Sequence, residues 1–438
     1  MKVNNRDELD QLIDENFNEY LKALEELIAI ESIQGEAEPE APFGRGPKEA
    51  LDVARFIASQ WGFKTKAIDN AVGYAVWTND AASEDYVGVL GHVDVVPAGS
   101  GWTYPPFELT ILEERAFGRG VLDNKGPLLA SLFALKLLKD QQKIYQKNVR
   151  VIFGTNEENG SADIPLYLAE ERPPVYGFTP DSQFPAVYAE KGVVAFRIIT
   201  LMETEDLMAV QSLIGNFISS SVPDEVAVLF SDGTVYQWRG KRAPSNEPQL
   251  GQNALTMAGE QLQHEERLSK RLRRYFAWMT DKLHDKHFGE GLNHAIAEMA
   301  LQLTPYQLEI ASGQLEFELS IRYGIDYQEE QVTDILRQNL PENSRLEVLR
   351  SFPPISFDLS DPMLEIMRQA YERVTGADGT PVITTGATYA RFMPNIIAFG
   401  PSFPGQIGIA HNSDEYMDLA DIKRNIKIYM LTLDAMLR

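Results

Sequence analysis

The sequence contains no cysteine, which excludes disulfides, thiolate zinc sites and cysteine nucleophiles, and suits a reducing compartment. Any bound metal must be held by nitrogen and oxygen. Long apolar runs are missing too. No window approaches the roughly 20 apolar residues that a spanning helix needs, and the opening MKVNNRDELD lacks the apolar stretch of a signal peptide. A cytoplasmic protein without a membrane partner is expected. Basic residues are scarce, 40 against 64 acidic ones in 438, giving a formal charge of −24. That balance repels phosphate backbones and argues against nucleic acid as a partner.

A chain of this length is expected to form two or three domains. Apolar residues from Leu9 to Ile28 recur at helical spacing, and further helices are expected near 47–61, 126–138 and 161–171. Between them lie strand-like runs at 71–77, 86–96, 149–154 (VRVIFG) and 175–181 (VYGFTPD). This alternation predicts an α/β class: a largely parallel sheet flanked by helices, which binds ligands beyond its strand C-termini. From 192 to 355 the character changes. VVAFRIIT, a helix over 204–219, VAVLF and the alternating QLEFELSIRYGI at 314–325 predict an inserted α+β unit. The first architecture resumes over 356–438, where DPMLEIMRQAYERVTG offers Asp361 as cap, Pro362 at the first helical position and Gly376 as stop. A strand in NIIAFGP and a helix from about Asp421 follow. The expected catalytic domain therefore comprises 1–191 and 356–438, with a lid at 192–355.

Chemistry-bearing side chains gather at the ends of these strands. GHVDVVP places His92 and Asp94 two apart, on one face if the strand continues. Asp123 lies in the turn GRGVLDNKG, and Glu157 and Glu158 end VRVIFGTNEE on what is expected to be extended backbone, where neighbours point opposite ways; Asp181 follows a strand in TPDSQFP, and His411 sits in IAHNSDEYM. Singly, each has an ordinary reading as a core histidine, a turn aspartate or a solvated glutamate. Together they make a two-metal site: His92, Asp123 and Asp181 could hold one divalent ion, and Asp123 could bridge to a second held by Glu158 and His411. Two such ions about 3.5–4 Å apart lower the pKa of a shared water from 15.7 towards ~7. Asp94 would engage the second nitrogen of His92, and Glu157 would serve as general base.

These stretches, in this order, resemble the di-zinc metallopeptidase family of aminoacylases, acetylornithine and succinyl-diaminopimelate deacylases, and bacterial dipeptidases. GWTYPPFELTILEERAFGRG together with TTGATYARFMPNIIAFGPSFPGQ is most similar to the PepV-type dipeptidases. The resemblance implies the same ligand set, with zinc as the metal and cobalt or manganese as alternatives. It also implies a cis Asp123–Asn124 bond, and hydrolysis of a small peptide with a free C-terminus by a metal-bridging hydroxide. Arg391 lies where the family's arginine grips the substrate carboxylate, with Gly386 and Thr388 shaping the same loop. One position departs: GKRAPSNEPQLGQNAL at 240–255 carries Pro244 where relatives have an oxyanion-stabilising histidine, and proline offers neither imidazole nor N–H. Asn246, a zinc ion alone, or one of His264, His284, His287 and His294 in charged helix faces of the lid could take its place. The alternatives are an N-acyl-amino-acid deacylase, or a weakly active relative that binds metal or peptide. A monomer is expected, because so large an insert can supply within one chain what smaller relatives gain by pairing.

Overall fold

The computed structural model describes residues 5–282, 301–311 and 313–438. The chain divides into two compact units, residues 1–188 with 357–438, and residues 189–356. In the first, helices α1 (Asn5–Ile28) and α2 (Arg45–Gln60) precede β1 (Lys64–Ile68), β2 (Val72–Trp77) and β3 (Tyr86–His92). Next come α3 (Lys125–Asp140), β4 (Asn148–Gly154), α4 (Asp163–Glu170), β5 (Tyr176–Thr179) and β6 (Val187–Glu190). The returning segment adds α5 (Pro362–Thr375), β7 (Ile396–Ala398) and α6 (Leu419–Met436).

The main sheet runs β1-β2-β4-β3-β5-β7-β6. Its centre is parallel, β4 with β3, β3 with β5 and β5 with β7, whereas β1, β2 and β6 join antiparallel. A parallel strand is covered on both faces, so it reads as an unbroken apolar run. β3 does so, being buried at every residue. Helix α3 packs against α1 and α6; its Leu129, Leu132 and Phe133 are buried in the shared core, each worth about 1.5–3 kcal/mol relative to exposure. Asp123 and its neighbours thereby stand at the foot of a helix packed against two others.

The second unit contains a four-stranded antiparallel sheet, in the order 302–311, 314–323, 192–201, 344–352, and a three-stranded one over 210–215, 225–230 and 235–239. The helix expected over 204–219 is corrected: only Thr204–Leu207 is helical, and Val210–Gly215 is a strand paired with Glu225–Phe230. Gly215 and the run Ser219-Ser220-Ser221 propagate a helix poorly, and cross-strand pairing recovers the backbone bonds. Among the described residues no helix is long and apolar enough to cross a membrane.

Candidate metal centre

β3 ends at His92, whose side chain is fully buried. Nδ1 faces the Asp94 carbonyl oxygen at 2.9 Å, which leaves Nε2 pointing outward, 3.1 Å from Asp123 Oδ1 and 3.7 Å from Asp181 Oδ2. Asp94 lies beyond the strand, not on it. Its carboxylate is 3.5 Å from Nδ1 and accepts the backbone N–H groups of Glu157 at 3.2 Å and Glu158 at 3.1 Å. Those two glutamates occupy a single 3-10 turn, Glu157–Asn159, rather than the extended backbone that the end of β4 suggested. Asp94 favours the turn because one carboxylate can satisfy two successive N–H groups only when the chain curls around it.

Asp123 precedes α3 through a cis bond to Asn124, and its two oxygens diverge. Oδ1 meets His92, while Oδ2 lies 3.0 Å from His411 Nε2, which also lies 3.1 Å from Glu158 Oε1. Two groups result, His92–Asp123–Asp181 and Asp123–Glu158–His411, each with ligand atoms within 4.8 Å of one another. Asn124 ties two of the loops together by donating to Pro180 O at 2.5 Å. Two imidazoles and three carboxylates suit a borderline divalent cation.

Electrostatics show how tightly the groups are pressed. Burial opposes protonation of both histidines, yet Asp181 and Asp123 hold His92, and Glu158 and Asp123 hold His411, well above the usual imidazole range. Burial pushes Asp181 up to about 7 and, with Asp181 beside it, holds Glu157 well above the usual carboxylate range. Asp123 goes the other way: hydrogen bonds from His411 and His92 overcome its burial and lower it. Crowded anions that share protons with imidazoles are poised to exchange those protons for cations.

Several residues that the sequence did not reveal build the surround. Glu415, with no exposed surface, accepts N–H bonds from Gly120 (3.1 Å), Leu122 (2.8 Å) and Asp123 (3.1 Å) on one oxygen, and pairs with buried Arg119 at 2.6 Å on the other. It joins the His411 segment to the Asp123 loop. Lys125 is also buried; its Nζ donates to Leu27 O at 3.0 Å and Ile30 O at 2.7 Å, and burial lowers it to about 7. Thr388 caps the turn Tyr389–Arg391, placing half-buried Arg391 at its end. The Gly386 N–H bonds Thr384 Oγ1 at 3.1 Å. In the second unit, Pro244 forms an isolated bridge with Ser221, and His264 is exposed after the helix Ala254–Leu262. His284, His287 and His294 lie outside the described residues.

A cluster of this composition at the rim of a parallel-centred sheet defines the metallohydrolase class. Within that class the chain belongs to peptidase family M20/M25/M40, whose model matches residues 88–435. It is similar to "Putative dipeptidase YtjP" of Bacillus subtilis, 29% identical, covering 93% of this chain and 95% of that protein. A relative in Staphylococcus saprophyticus, "Putative dipeptidase SSP1012", is 28% identical, covering 94% and 96%. The fold is shared with human carnosine dipeptidase 1 (TM-score 0.65, 16% identity, 98% of each chain). It is also shared with an M20 metallo-carboxypeptidase of Sulfolobus solfataricus (TM-score 0.61, 17% identity, 95% and 98%). The protein is thus a metallopeptidase, of a family that generally uses two divalent metals.

Proposed function

We propose that the protein is a cytoplasmic, zinc-dependent dipeptidase acting on small peptides with a free C-terminus. The observation that carries this reading is the pair of Asp123 oxygens, 3.1 and 3.0 Å from two different imidazoles, the placement a bridging carboxylate needs. His92, Asp123 and Asp181 would hold one ion, and Asp123, Glu158 and His411 the other. Bound there, two divalent ions supply Lewis acidity and bring the pKa of water from 15.7 towards about 7.

The chain's own residues do the rest. Glu157 takes the proton of the attacking water on its carboxylate and returns it to the leaving amine; a raised carboxyl suits a group that must gain and lose a proton in each cycle. Asp94 holds the Glu157 backbone and the His92 ring in register. Arg391 grips the substrate carboxylate with its fork of donors, with Gly386 and Thr388 shaping that loop. The segment 192–355 acts as a lid that limits substrate length.

Metal analysis with a paired panel of dipeptides and N-acetyl amino acids tests the reading. Glu157→Ala should retain metal and lose turnover by at least about 100-fold; unchanged turnover removes its role as base. A preference for N-acetyl amino acids would favour the deacylase. Pro244 motivates one rival, a slow relative, since a missing oxyanion donor costs about 100–1,000-fold. We further propose a monomer, which sedimentation as a stable dimer would refute.

A further inference from the structure

Gly154 ends β4 directly beside His92 in the parallel register, and its carbonyl accepts the Val93 N–H at 2.9 Å. A Cβ on Gly154 would stand 1.9 Å from the Tyr389 hydroxyl oxygen and 2.7 Å from Asp163 Oδ2. The hydroxyl therefore occupies the space that a side chain would take. It donates to Asp163 Oδ2 at 2.5 Å, and the same oxygen accepts the Thr155 N–H at 2.8 Å. Tyr389 and Asp163 are both fully buried. On its other side the Tyr389 ring meets the His92 imidazole edge-on, centroids 6.2 Å apart at 80°.

Burial alone does not account for this arrangement. A phenylalanine would fill the same volume without requiring an acceptor, whereas the observed pair places a carboxylate wholly in the interior, where burial pushes it up to about 6. A buried polar contact of that kind costs free energy and defines direction. Here the direction runs from the start of α4, through the hydroxyl, to the edge of His92. It continues along the turn Tyr389–Arg391.

We propose that Tyr389 and Asp163 are positioning residues, whose shared hydrogen bond fixes the imidazole plane of His92 and the seat of the turn that carries Arg391. The role of His92 as a metal ligand rests on the reading above. Neither residue touches the reacting atoms. Their effect passes through the ring and the turn.

The test compares Tyr389→Phe, Asp163→Ala, Asp163→Asn and the double variant Tyr389→Phe/Asp163→Ala with wild type, reading zinc affinity against a competing chelator, dipeptide kcat/KM and the thermal midpoint. Tyr389→Phe keeps the ring, so it should remain folded while zinc affinity and kcat/KM each fall about tenfold. Asp163→Ala should match it, and the double variant should lose no more than about twofold beyond either single change, because both remove one interaction. Asp163→Asn keeps an acceptor oxygen for the hydroxyl and should rescue most of the loss. Zinc affinity of Tyr389→Phe within about twofold of wild type, or single effects that multiply in the double variant, would overturn the pair. If Asp163→Ala does not fold, Tyr389→Phe against wild type decides the matter. Absence of dipeptide turnover in wild type would sink the peptidase reading, and the zinc measurement would still judge the pair.

Discussion

Glu415 shows how far a single carboxylate can reach. It satisfies three N–H groups of the loop that presents Asp123 and neutralises a buried guanidinium. Removing it leaves Arg119 charged and unpaired out of water, a loss of about 3–5 kcal/mol. Urea denaturation of Glu415→Ala should show that loss, accompanied by weaker zinc binding. At this scale the sequence was legible where chemistry and punctuation coincide: His92 and Asp181 stand at strand ends, Asp123 between glycines, and His411 after a glycine-rich loop. Glu415 was hidden because HNSDEYM reads as a solvated turn and its backbone partners lie 293 residues away or thereabouts, as at Leu122. Asp94 was half legible, since its link to the turn Glu157–Asn159 is tertiary.

At the scale of elements, a helix end announces itself when its cap is local. Asp361 accepts the Met363 N–H at 2.8 Å, Pro362 opens α5, and Gly376 closes it at φ 71°. Asp361→Ala should therefore cost about 1 kcal/mol, measurable as a lower chemical-denaturation midpoint with unchanged slope. The segment 204–219 misled for the converse reason. LMAVQSLIG satisfies a helical and a strand period about equally, and the choice falls to its partner, Glu225–Phe230. The glutamate turn was misread likewise, because nothing within TNEENGS shows that Asp94 will pull two successive N–H groups inward.

For the whole molecule, the balance of charge makes metal and fold interdependent. Carboxylates hold His92 and His411 above their usual range, and an imidazole must lose its proton to bind a cation. The sign follows: protons leave as metal enters, so zinc affinity rises with pH. Titrations at pH 6 and pH 8 should show weaker binding at the lower value; equal affinity would contradict it. Free zinc at about 100 times Kd should stabilise the folded chain by ~2.7 kcal/mol. The fold class was legible at this scale because buried parallel strands alternate with helices, and the antiparallel pairings of β1, β2 and β6 were not, because a strand's direction relative to its neighbour is settled by tertiary pairing and not by its own apolar pattern.

The span from Asp123 to Glu415 also sets an order of events during synthesis. The loop that offers the central carboxylate is braced by a side chain 292 residues further on, so a product that stops short of residue 411 lacks both that brace and the His411 imidazole, while His92, Asp123 and Asp181 are already made.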